Sequence, residues 1–118
     1  MLAECDRIND KKRLKEWIAY ERERYGGSII KELLCLTERD ILRKHQVILR
    51  KTEYYVNTGK KLLAGIYKIK LYKIQNKYAI HIPVNVCDKG LKIMHVGSVL
   101  INKNAIVGKD CVFHINTA

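Results

Sequence analysis

Residues 101–118 read INKNAIVGKDCVFHINTA, and their spacing decides how the last third of the chain folds. Ile101, Val107 and Phe113 recur every six residues, and the small residues Ala105, Cys111 and Thr117 each follow four places later. A short strand and a tight turn, repeated at this interval, wind a triangular coil. Its interior takes the large side chain and its crowded corner admits only a small one. The register predicts a hexapeptide repeat of a parallel β-helix. An ordinary β-sandwich with chance spacing is the competing reading.

Working outward, the pattern changes near residue 80. Before it, apolar residues recur at helical spacing: Leu14, Trp17 and Ile18, then Ile29, Ile30, Leu33 and Leu34, then Ile41, Leu42, Ile48 and Leu49. Gly26 and Gly27 end the first helix, and Ser28 is placed to cap the second. Thr37 with Asp40 marks a further start, and Asn57, Thr58 and Gly59 form a turn. The stretch KKLLAGIYKIKLYKIQNKY is then expected as a helix burying Leu63, Ile66, Tyr67, Ile74 and Tyr78 as one stripe. The chain's one proline, Pro83, falls where a helix cannot easily continue. The expected class is α+β: an N-terminal α-helical domain over 1–80 and β-helical coils over 81–118.

With 118 residues and 47% hydrophobic content, the chain is long enough to build one core. Cys5, Cys35, Cys87 and Cys111 are widely spaced, with no CxxC pair, so free thiols are expected and no metal site. No run of about 18 apolar residues exists to span a bilayer, and the N-terminus has no signal-peptide core. A cytoplasmic location is the default expectation. The formal charge of +11 brings anionic partners into consideration. Lysines interleave with Tyr67, Tyr72 and Tyr78 as on some nucleic-acid surfaces, yet no RNA- or DNA-binding motif accompanies them. A solvated lysine face is therefore expected, with no specific nucleic-acid partner. Membrane-surface attachment is a weaker alternative.

The stretch IPVNVCDKGLKIMHVGSVLINKNAIVGKDCVFHI resembles the opening coils of serine O-acetyltransferases, members of the hexapeptide-repeat acyltransferases. The upstream YERERYGG and the helical region after it are similar to that family's N-terminal domain. The resemblance implies a left-handed β-helix and a homo-oligomer, a trimer or paired trimers. It also implies transfer of acetyl from acetyl-CoA, as co-substrate, to the L-serine hydroxyl in cysteine biosynthesis. It places the catalytic histidine at His95, within IMHVG. Gly97 follows closely as a candidate substrate contact, and His114, next after the interior Phe113 and so expected on the outside of the coil, is either a contact for acceptor or cofactor or a solvent-facing surface histidine. A full family member continues for several more coils, so the chain is expected to be the first part of a longer repeat.

Chemistry gives His95 the same role. A serine hydroxyl is protonated at neutral pH, so attack on a thioester needs a base set against it, and imidazole titrates in that range. The bland reading is a ring that merely bonds a loop carbonyl. From Ile93 to Ile101 the interval is eight residues instead of six, a local departure where a solenoid can turn a side chain outward. No orienting acid is visible: Met94 precedes the histidine, and Asp88 sits in a DKG turn. His81 is a secondary candidate, and His45 is expected to be solvated on its helix. Three readings stay open: serine acetyltransfer, acetyltransfer to a surface-polysaccharide sugar, and a non-catalytic assembly or nucleic-acid-binding module.

Overall fold

Capping side chains decide where the helices begin. The computed structural model describes residues 1–97 and 99–113. Helix α1 spans Lys11–Tyr25 and starts at Asp10, whose side chain accepts from the Arg13 N–H at 2.7 Å. Helix α2, Ile29–Leu34, is capped by Ser28. Helix α3, Glu38–Asn57, opens on a reciprocal capping box: Thr37 Oγ1 accepts from the Asp40 N–H, and Asp40 Oδ2 from the Thr37 N–H, each at 3.3 Å. The expected turn follows, with Gly59 at φ +72°, and helix α4 runs Lys61–Tyr78. It ends at Tyr78, five residues before Pro83, with Ala79 following in the left-handed conformation at φ +56°.

The expected apolar stripe of α4 holds only in part. Tyr67, Ile74 and Tyr78 are half-buried, but Leu63 and Ile66 are 39% and 43% exposed, and the buried residues are Ala64, Leu71 and Gln75. The helix is turned about its axis because Gln75 reaches inward, donating to the Ile82 carbonyl at 3.0 Å and meeting His45 Nε2 at 3.2 Å. On α2 the buried residue is Glu32, held by Arg22 at 3.0 Å and by Arg43 at 3.6 Å. Those ion pairs orient the six-residue helix with Ile30 and Leu34 outward. His45, expected in solvent, is fully buried, because α1, α2 and α4 all pack against α3.

After α4 come four short strands: β1 (Ile80–His81), β2 (Lys92–Ile93), β3 (Val99–Leu100) and β4 (Val112–Phe113). Every pairing among them is parallel. Ile80 lies opposite Val99, nineteen residues on; Cys87 opposite Val107 and Lys92 opposite Val112, each twenty on. The second pass of the chain thus lies on the first along three separate edges. Ile80, Ile82, Val86, Cys87, Leu91 and Ile93 point into one core with Val99 and Ile101. Ala105, Val107, Cys111 and Phe113, partly buried, pack against it; Thr117 lies outside the described residues. Each fully buried aliphatic side chain there contributes about 1.5–3 kcal/mol relative to exposure.

Tyr25, Leu42, Leu49 and Leu71 belong to this same core, so helices and coils share an interior across residue 80. Arg50 fastens them together. Its guanidinium, fully buried, pairs with Glu21 of α1 at 2.8 Å and Glu53 of α3 at 2.8 Å. It also donates to the carbonyls of Cys87 and Asp88, both at 2.8 Å, and lies 4.8 Å from the Trp17 ring centre. Burial opposes this charge, and the two carboxylates more than offset it, holding the pKa above the usual arginine range. Glu21 Oε2 accepts from the Gly90 N–H and Glu53 Oε2 from the Asn85 N–H, extending the network into the coil turns. Gly90, at φ +92°, sits so close to Asp110 and the Tyr20 ring that a β-carbon has no room.

All four cysteines are free thiols; burial pushes Cys87 up to about 12. Among the described residues no helix is long and apolar enough to cross a membrane.

Candidate active site

The eight-residue interval noted in the sequence becomes a bend over residues 95–97. Just before it, the Met94 N–H donates to the Phe113 carbonyl at 2.8 Å, so the ladder between β2 and β4 holds the chain up to that point. His95 then leaves the ladder, and its side chain is 55% exposed.

Opposite the ring stands a carboxylate that no spacing argument could supply. Glu38 is the first residue of α3, and its Oε2 lies 3.1 Å from His95 Nδ1. The capping box at Thr37 and Asp40 fixes where the helix starts and therefore where Glu38 sits. An ionised carboxylate accepts hydrogen bonds and cannot donate them, so the neutral ring facing it carries its proton on Nδ1. That tautomer leaves Nε2 with a lone pair. In that tautomer Nε2 is the ring's acceptor atom, the one able to take a proton from a hydroxyl brought within hydrogen-bond reach. Glu38 is also 55% exposed, so the pair is an orienting contact in solvent.

The remaining candidates separate clearly. Gly97 lies half-buried in the same bend, two residues past His95. His114 lies outside the described residues. Asp88 is a turn residue: its Oδ1 accepts from the Lys89 N–H at 2.7 Å, and its carbonyl accepts from Arg50. His81 is exposed on β1, and its carbonyl accepts the Ile101 N–H at 2.9 Å in the ladder. Burial depresses the pKa of His45 to about 4, with the Arg50 charge adding to the effect, so that ring is neutral and structural.

Sequence reasoning missed Glu38 because it lies 57 positions from His95. The only signal available was a carboxylate at a helix's first residue, a placement that the helix dipole favours for stability alone. No protein-family model, curated protein or solved structure matches this chain.

Proposed function

We propose that the chain carries the base half of an acyltransferase site, of the serine O-acetyltransferase type, on the first coils of a left-handed parallel β-helix. The observation that carries this reading is the His95–Glu38 pair on the outward bend. Parallel pairings nineteen and twenty residues apart support the β-helix, since about eighteen residues make one three-sided coil. In the proposed reaction, His95 Nε2 takes the proton from the L-serine hydroxyl as its oxygen attacks the acetyl-CoA carbonyl. The tetrahedral intermediate then expels the thiolate of CoA, which receives the proton back from the imidazolium. The products are O-acetyl-L-serine and CoA. A homotrimer, as the resemblance implies, would set neighbouring coils on either side of the histidine.

The test is thiol release from acetyl-CoA in the presence of L-serine by a chain extended to full family length, with and without His95→Ala. We expect the substitution to lower kcat by about 10² to 10⁴ while leaving acetyl-CoA affinity nearly unchanged. Turnover by the His95→Ala protein at the parent rate would refute the base assignment. Turnover with a sugar acceptor alone would keep the base and change the substrate to a surface polysaccharide. A non-catalytic assembly module is the second reading, favoured by the outward apolar residues Ile30, Leu34 and Leu62, 59–79% exposed.

A further inference from the structure

A groove of about 670 Å³ runs between α2, α3 and α4, on residues the acyl-transfer reading does not use. Helices α3 and α4 are antiparallel: His45 meets Gln75, and Thr52 Oγ1 reaches the Tyr67 carbonyl. The groove's floor is apolar, with Ile29 and Leu33 from α2, Val47 and Ile48 from α3, and Tyr67 and Ile74 from α4. Its rim is cationic, with Lys44 and Lys51 along one wall and Lys70, Lys73 and Lys77 along the other.

Three features select the occupant. First, among the described residues none of these five ammonium groups has a carboxylate partner within 4.0 Å. The single acid lining the groove, Glu32, is already engaged by Arg22 and Arg43. The occupant must therefore be anionic, and a second copy of a +11 chain seated on the same face would oppose lysines to lysines. Second, Ile29 and Leu33 are 55% and 66% exposed, so the occupant must also present an apolar surface. A sugar–phosphate backbone presents none. Third, the lysines are spread along the walls. Lys44 to Lys51 and Lys70 to Lys77 each span seven residues, about 10 Å of helix. A ligand with one charged head would satisfy one end only, whereas the spacing matches acids two turns apart on both flanks of an apolar stripe.

We propose that this groove docks an acidic amphipathic helix from another protein, its apolar stripe on the floor and its carboxylates against the two lysine rows. The proposal is independent of the acyl-transfer reading.

The probe is a panel of labelled helical peptides about 18 residues long, with leucine stripes in several registers and glutamate on both flanks. Each is paired with a counterpart carrying glutamine in place of glutamate, and binding to the full chain is followed by fluorescence anisotropy. At least one glutamate peptide should bind about tenfold more tightly than its glutamine counterpart at low salt, with the preference shrinking as salt rises. Lys70→Glu combined with Lys73→Glu should erase the preference, and Leu33→Glu should weaken binding, in proteins whose melting curves match the parent. Equal binding of glutamate and glutamine peptides, failure of the whole panel to bind, or a preference that survives the lysine reversals would overturn the proposal. Displacement of the bound peptide by a lower concentration of duplex oligonucleotide would overturn it too, assigning the groove to nucleic acid.

Discussion

At the scale of single residues, His95 and His45 differ in burial and do different things. His95 stands on an outward bend against Glu38, so what the carboxylate controls is the ring's tautomer and angle. Glu38→Gln leaves an amide that can pair with either tautomer. We expect it to lower kcat/KM by about tenfold, with thermal stability unchanged because both groups face solvent. An unaltered kcat/KM would show that Glu38 does not orient the base. His45 is the reverse case, a ring held neutral at the Gln75 amide with a pKa of about 4. An unfolded imidazole titrates near 6.5, so as pH falls the unfolded chain takes up a proton before the folded one does. The His45 contribution is therefore complete above pH 6.5 and is lost as pH falls from 6.5 towards 4. Between pH 7 and pH 5 it should weaken folding by about 2 kcal/mol, a dependence that His45→Gln removes. Urea unfolding of both proteins at the two pH values measures the difference. Sequence reading expected His95 at a local departure from regular spacing, where the chain does bend, and left His45 in solvent, where it is not. A lone histidine carries no sign of whether the neighbouring helices will close over it.

At the scale of elements, starts were legible and faces were not. Ser28, Thr37 and Asp40 announce their helices because capping is local chemistry, settled within three or four residues. The end of α4 follows a less visible rule. The chain leaves the helix at Ala79, an L-residue held at φ +56°, and enters β1 directly. Glycine adopts this conformation without the Cβ penalty, so Ala79→Gly should stabilise the fold by about 1 kcal/mol, readable as a raised Tm. A lowered Tm would mean that the Ala79 methyl contributes packing larger than the backbone strain. The faces of α2 and α4 escaped prediction for a different reason. Each helix is oriented by one buried polar side chain, Glu32 and Gln75, whose partners lie in other elements. Apolar periodicity alone gives such residues the wrong sign.

At the scale of the whole molecule, helices and coils are joined through Arg50 and the core around it. Arg50→Met keeps much of the side-chain volume but leaves Glu21 and Glu53 buried without a counter-charge, and frees the carbonyls of Cys87 and Asp88. Breaking such a pair costs about 3–5 kcal/mol, enough to unfold a marginal domain. Denaturant unfolding of Arg50→Met should show that loss; a change below about 1 kcal/mol would mean that the arginine is replaceable packing. The six-residue recurrence of Ile101, Val107 and Phe113, the caps and the break near residue 80 were fixed by the chain alone, because each rests on neighbours within about one turn or one coil edge. Tertiary structure alone decided that Glu38 meets His95, that Arg50 lies between two acids, and that five lysines line one groove. Arg50 meets Glu21 across 29 positions and His95 meets Glu38 across 57. Contacts at that separation depend on how every intervening element packs, and no local pattern carries that information.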